Sequence, residues 1–162
     1  MINLNSIDNS IDKGKNIFVT VAGPRDYTDK VFVNNILDKT LSDISKKESL
    51  PIHIVEGGAY GVDALAKLYA LQNKIAYTEV KADWNKYGRS AGPRRNQKMA
   101  EMSDYCIVFY KGTRGSASMV NEALKKNVPV YIISISEKFG IGKIIYVNDS
   151  KDWEKLKSEF EA

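Results

Sequence analysis

Apolar and polar positions fall into blocks of two alternating kinds along this chain. Short apolar runs of strand length stand at residues 16–22, 52–55, 75–80, 105–109 and 130–134, with a shorter one at 144–147. Between them the apolar positions recur at helical spacing. Val31, Val33, Ile36, Leu37, Leu41 and Ile44 give a stripe over 29–45, which Thr28 or Asp29 can cap. Ala64, Leu65, Leu68 and Leu71 do the same over 61–73. Pro93 suits the first turn of a third helix ending near Met102, and a fourth covers 116–126, with Ser116 as its N-cap. Asn127 is placed to end that helix in a left-handed conformation, and Asp149 or Ser150 to cap a last one. Residues 81–90 are read as a non-periodic loop. Strands alternating with helices predict a parallel sheet covered on both faces. The fold class is α/β, a three-layer α/β/α sandwich with a mainly parallel, Rossmann-like sheet. Residues 1–15 are polar and aperiodic and read as a flexible arm before a single domain over 16–162.

The junctions carry the chemistry. Three of the apolar runs end in a glycine loop that opens into a helix: Gly23-Pro24-Arg25, then Glu56-Gly57-Gly58-Ala59-Tyr60-Gly61-Val62-Asp63, then Gly112-Thr113-Arg114-Gly115-Ser116-Ala117. In a parallel sheet such loops emerge together at the carboxyl edge, where backbone amides and helix N-termini can surround an anion. Neither the phosphate-loop ending Gly-Lys-Ser/Thr nor the dinucleotide Gly-x-Gly-x-x-Gly is present. Asp63 reads equally as a partner of the helix dipole or of a ribose hydroxyl. A fourth segment, 82–96, holds Asp83, Trp84, Tyr87, Arg89, Arg94, Arg95 and Asn96. Arginines can fork onto phosphate and an aromatic ring can stack on a base, so this loop is read as part of the site and not as a surface loop packing on the sheet edge.

Composition narrows the classes. A formal charge of +4 over 162 residues is modest, but residues 89–98 hold three arginines and a lysine with no acid. That local excess suits a phosphate-bearing ligand better than a nucleic-acid backbone. No stretch reaches a membrane span, and the first residues lack a leader pattern, so the expected location is cytoplasmic. Cys106 lies in an apolar run and reads as an inert buried thiol. His53 sits in mid-strand without metal-ligand spacing, so no metal and no cofactor is expected.

These loops and the 82–96 segment, in this order over 17–133, resemble the YspA, cpYpsA-related branch of the SLOG superfamily, which also includes the DprA/Smf and LOG proteins. The run Asp83-Trp84, Gly88, Ala91-Gly92-Pro93-Arg94-Arg95-Asn96 is its most specific part. The resemblance implies a nucleotide or nucleotide-derived ligand, such as an NAD or ADP-ribose derivative, at the carboxyl edge. Its implied contacts are Gly23, Pro24, Arg25, Gly57, Gly58, Ala59, Gly61, Val62, Asp63, Asp83, Trp84, Arg94, Arg95, Asn96, Gly112, Gly115, Ser116 and Ala117. It further implies a homodimer or higher homo-oligomer. The series Arg95, Met99, Ser103-Asp104, Gly115-Ser116 is similar to that of the LOG phosphoribohydrolases, which release a base from a nucleotide. Where those enzymes carry a glutamate this chain has Met119, with Glu122 one turn on. Hydrolysis would need its carboxylate from Glu56, Asp63 or Asp83, acting with Arg95. Binding without catalysis is the leading expectation, hydrolysis the alternative, and single-strand DNA binding of the DprA kind the third.

Overall fold

A computed structural model describes residues 14–162, so nearly all of the expected arm lies outside the described residues. The strands are β1 (Ile17–Ala22), β2 (Ile52–Glu56), β3 (Ala76–Glu79), β4 (Tyr105–Tyr110), β5 (Val130–Ser134) and β6 (Ile144–Val147). The helices are α1 (Lys30–Glu48), α2 (Val62–Gln72), α3 (Trp84–Tyr87), α4 (Ala91–Met102), α5 (Arg114–Lys125) and α6 (Ser150–Glu161). They build one six-stranded sheet in the order β3-β2-β1-β4-β5-β6. The first five strands are parallel and β6 pairs antiparallel with β5. The α/β Rossmann-like reading is therefore correct.

β1 and β4 are buried at every position, because helices cover both faces of the sheet. Alternate residues of β1 go to opposite layers. Phe18 and Ala22 meet α4, α5 and α6 through Met99, Val120 and Trp153. Ile17, Val19 and Val21 meet α1 and α2 through Leu37, Ile44 and Ala66. Chain order runs outward from β1 through β2 to β3, then crosses back to β4 on the other side of β1. The loops after β1 and β4 therefore diverge, and a crevice opens between them at the carboxyl edge.

The caps follow the local chemistry. Asp29 accepts the amide of Phe32 at 3.0 Å to start α1, and Asp149 accepts those of Lys151 and Asp152 to start α6. Asn127, with φ 58°, turns the chain out of α5. Asp104 ties the start of β4 to β1, accepting from the amide of Phe18 at 2.9 Å. Cys106 is fully buried, which pushes its thiol up to about 12 and makes it inert. His53 stacks on Phe18 and bonds Thr78 through Nε2 at 2.8 Å, a core role.

Several expectations need correction. Residues 81–90 are not a plain loop, since α3 and a 3₁₀ turn (Gly88–Ser90) lead directly into α4. α5 begins at Arg114 with Thr113 as its N-cap, so Ser116 lies inside the first turn. Val31 is 69% exposed and outside the stripe of α1. α2 is rotated from the leucine reading: it buries Val62, Asp63, Ala66, Tyr69 and Ala70, while Ala64, Leu68 and Leu71 face outward. Small residues let α2 lie close to the sheet, and the larger leucines would hold it away. Leu68→Ala should therefore cost less than about 1 kcal/mol, and Ala66→Leu about 1–3 kcal/mol through overpacking. Urea denaturation with the costs in the opposite order would restore the leucine face.

Among the described residues no helix is long and apolar enough to cross a membrane.

Candidate functional site

The loops after β1 and β2 lock together before they touch any ligand. A Cβ on Gly61 would lie 2.2 Å from the Pro24 carbonyl oxygen, so only glycine, here at φ 73°, lets the two backbones meet. The amide of Val62 donates to that carbonyl at 3.2 Å, and the buried Val62 side chain lies under Gly23. Gly61 and Val62 thus set the relative height of the two loops and stand behind the cleft.

The glycine loop after β2 is closed upon itself. Oδ2 of Asp63 accepts from the amides of Gly57 at 3.1 Å and Ala59 at 3.3 Å, and Oε1 of Glu56 accepts from Gly58 at 2.7 Å. Three amides of the Gly57–Gly61 stretch, expected with those of Gly115 and Ser116 to cradle phosphate, are thereby committed within the protein. Arg95 closes the loop from the other side, donating through Nη1 to the carbonyl of Gly57 at 3.1 Å. A Cβ on Gly57 would lie 2.9 Å from both Arg95 Nε and Asp63 Oδ2, so this glycine answers to the arginine and not to a ligand.

Burial pushes the Asp63 carboxyl up to about 6, against the opposing pull of the Arg95 charge and the two amides. Burial likewise holds Arg95 below its usual value, opposed by Asp63. Glu56 is wholly buried behind the cleft and does not line it. Burial, then the charges of Glu79 and Asp63, push it up to about 8.

The cleft itself, about 700 Å³, occupies the crevice between the loops after β1 and β4. That is within the range of small-ligand sites. Of the expected residues, Gly23, Pro24, Arg25, Ala59, Asp63, Trp84, Arg95, Asn96, Gly115 and Ser116 line it. Trp84, 49% exposed, lies with its ring edge on Gly92 and 5.8 Å from the Arg25 guanidinium. Asn96 is buried and donates to Ser118 Oγ at 3.2 Å across the α4–α5 contact. On the β4 side, the first amides of α5 (Arg114, Gly115, Ser116) precede any i−4 carbonyl of the helix. Thr113 spends its hydroxyl on Ser116 Oγ at 3.0 Å and leaves those amides alone. A Cβ on Gly115 would meet nothing within 4 Å, so the space before this helix is open.

The remaining expected residues stand elsewhere. Asp83 caps α3, accepting from the amide of Lys86 at 3.1 Å. Arg94 points outward, 4.3 Å over the Tyr87 ring and bonded to Ser90. Gly57, Gly58, Gly61 and Val62 lie behind the wall, Gly112 makes the turn at φ 103°, and Ala117 is in the core. The expected contacts left out Asp26, Thr113, Arg114, Ser118, Met99 and Met119, which also line the cleft, although Thr113 and Arg114 belong to the third glycine loop. Helical spacing could have found some of them, since Met99 follows Arg95 by four and Ser118 follows Gly115 by three. Asp26, paired with Lys111 at 3.3 Å across the two loops, had no sequence signal.

Removing Asp63 tests this assembly. Asp63→Ala should cost about 2–4 kcal/mol by leaving two loop amides without an acceptor, and Asp63→Asn, which keeps one, clearly less. Equal losses in urea denaturation would contradict the amide count. Glu56 supplies a pH test. Its folded value lies above the unfolded one, so its stabilisation is full below about pH 4.3 and is lost as pH rises through about 8. Wild type should lose stability relative to Glu56→Gln across that window. A constant difference would refute the buried proton.

Comparison with known proteins agrees with this fold. Residues 17–87 match the model of the YspA, cpYpsA-related SLOG family. The chain is 29% identical over 119 residues to the Gene 61 protein of Mycobacterium phage D29, covering 69% of this chain and 92% of that protein. The X-ray structure of DNA processing protein A (DprA) from Streptococcus pneumoniae is similar with a TM-score of 0.60 at 20% identity. That likeness covers 90% of this chain but 63% of the DprA chain, and it is one of fold.

Proposed function

We propose that this chain, which over residues 17–87 is of the YspA, cpYpsA-related SLOG family, binds a nucleotide or nucleotide-derived small molecule in the cleft between the β1 and β4 loops. The observation that carries this reading is the pairing of two unlike walls. One is cationic: the open N-terminal turn of α5, which begins at Arg114, together with Arg25 and Arg95, which also line the cleft. The other is apolar, with Trp84, Met99, Met119 and Pro24. A phosphate suits the first wall, because helix amides and guanidinium forks both favour a compact anion. A flat heterocycle suits the second, with Trp84 as its stacking partner. The anion would rest on the α5 turn and not on the closed Gly57–Ala59 turn.

A second reading, cleavage of the N-glycosidic bond of such a ligand, is favoured by one observation. Asp63 reaches the cleft with a carboxyl value of about 6, inside the range where an acid or base works near neutrality. Against it stand the bonds that already occupy Asp63 Oδ2, and the apolar Met119 where a catalytic glutamate would be expected.

Calorimetry with nucleoside monophosphates, ADP-ribose and NAD should find at least one micromolar ligand, and Arg114→Ala should weaken it roughly five- to tenfold. Trp153 is 1% exposed, so a ligand-induced change in tryptophan emission should come from Trp84 and vanish in Trp84→Phe. No binding across the panel would sink the reading. Free base detected by mass spectrometry, and lost in Asp63→Asn, would turn it into hydrolysis. Binding only to oligonucleotides, falling steeply with salt, would replace it with a nucleic-acid function.

A further inference from the structure

Glu56 is the buried titratable group that the cleft itself does not use. It ends β2 beside Glu79 of β3, its direct register partner. Its Oε1 is occupied by the amide of Gly58, while Oε2 is buried with no donor. The neighbour it can satisfy is the Glu79 carboxylate, and only if Glu56 itself carries the proton and donates. Glu79 already has its cations, Lys67 at 3.3 Å and Lys81 at 3.5 Å. The charged groups acting on Glu56 are thus Glu79 of β3, with Lys81 just beyond it, Asp63 and Lys67 of α2, and Arg95 of α4. Lys67 and Lys81 are paired with Glu79 and Arg95 interacts with Asp63, and among the described residues no cation forms an ion pair with Glu56 itself.

The proton therefore has a mechanical consequence. Glu56, Asp63 and Arg95 hold the same short turn, at Gly58 N, at Gly57 N and Ala59 N, and at Gly57 O respectively. Ionising Glu56 adds a negative charge between Glu79 and Asp63, pushes on the turn and raises the negative potential behind Arg95. Both effects oppose an anion in the cleft.

We propose that Glu56 is a positioning residue of the cleft, a buried proton holder that acts through the Gly57–Ala59 turn and Asp63 to keep Arg95 in place, so that anion binding is linked to proton uptake. The inference rests on the proposed reading of the cleft as an anion-binding site.

ADP-ribose, whose diphosphate stays fully ionised from about pH 7 to pH 9, a window above the titration of Asp63, serves as the probe in calorimetry at several pH values. Wild type should weaken about tenfold over that range and take up protons on binding, whereas Glu56→Gln should change by less than about twofold. Glu79→Gln removes the neighbouring charge and should move the wild-type midpoint to lower pH. A flat wild-type profile, or the same slope in Glu56→Gln, would overturn the proposal. If ADP-ribose does not bind at any pH, the cleft reading fails for this probe and the coupling is decided without ligand. Hydrogen exchange at Gly57 and Ala59, corrected for intrinsic rates, should then speed up as Glu56 titrates in wild type and not in Glu56→Gln. Exchange that ignores that titration would refute the positioning role.

Discussion

Two backbone amides and one buried carboxylate determine how this site is organised. By accepting from Gly57 and Ala59, Asp63 closes the loop after β2 into a turn, and that turn gives Arg95 the carbonyl on which it rests. The arginine can stay partly buried because a negative charge lies close by, and the carboxylate can stay ionisable because the amides and the arginine offset its burial. Neither would be affordable alone in a low-dielectric wall. The loop after β1 is placed by the same turn through the contact of Gly61 with the Pro24 carbonyl. The second glycine loop is thus a bracket for the cleft, and the first turn of α5 is left as the wall whose amides are open to it.

This division of labour changes what the three glycine loops mean. They share a position in the topology, at the carboxyl ends of parallel strands, but not a task. Gly57 and Gly61 are glycines because other protein atoms come within 3 Å of where a Cβ would be. Gly115 is free of such contacts and faces open space. A glycine that nothing in the protein requires is the more informative one for a ligand.

The sheet was legible from sequence because its strands are buried on both faces and so appear as unbroken apolar runs between helices. The face of α2 was not, because its core side is made of Val62, alanines, a tyrosine and Asp63, while Leu68 and Leu71 are on the outer side and Leu65 is only partly buried. Arg25, Trp84, Arg95 and Gly115 could be placed at the cleft from charge and pattern alone. The roles of Glu56 and Gly57 could not, since each is decided by a hydrogen bond inside an irregular turn, and Asp83 reads as an N-cap only once the short helix α3 is known to follow it. Asp26 was invisible for the same reason: its partner Lys111 is 85 residues away.

The account stands on the α5 turn, and not the Gly57–Ala59 turn, being where an anion rests. Amide chemical-shift mapping by NMR during titration with AMP near pH 7, where Glu56 already holds its proton, reads both loops at once. The account predicts large shifts at Arg114, Gly115 and Ser116, with Gly57, Gly58 and Ala59 nearly unmoved. Saturable shifts confined to Gly57, Gly58 and Ala59, with α5 silent, would contradict it.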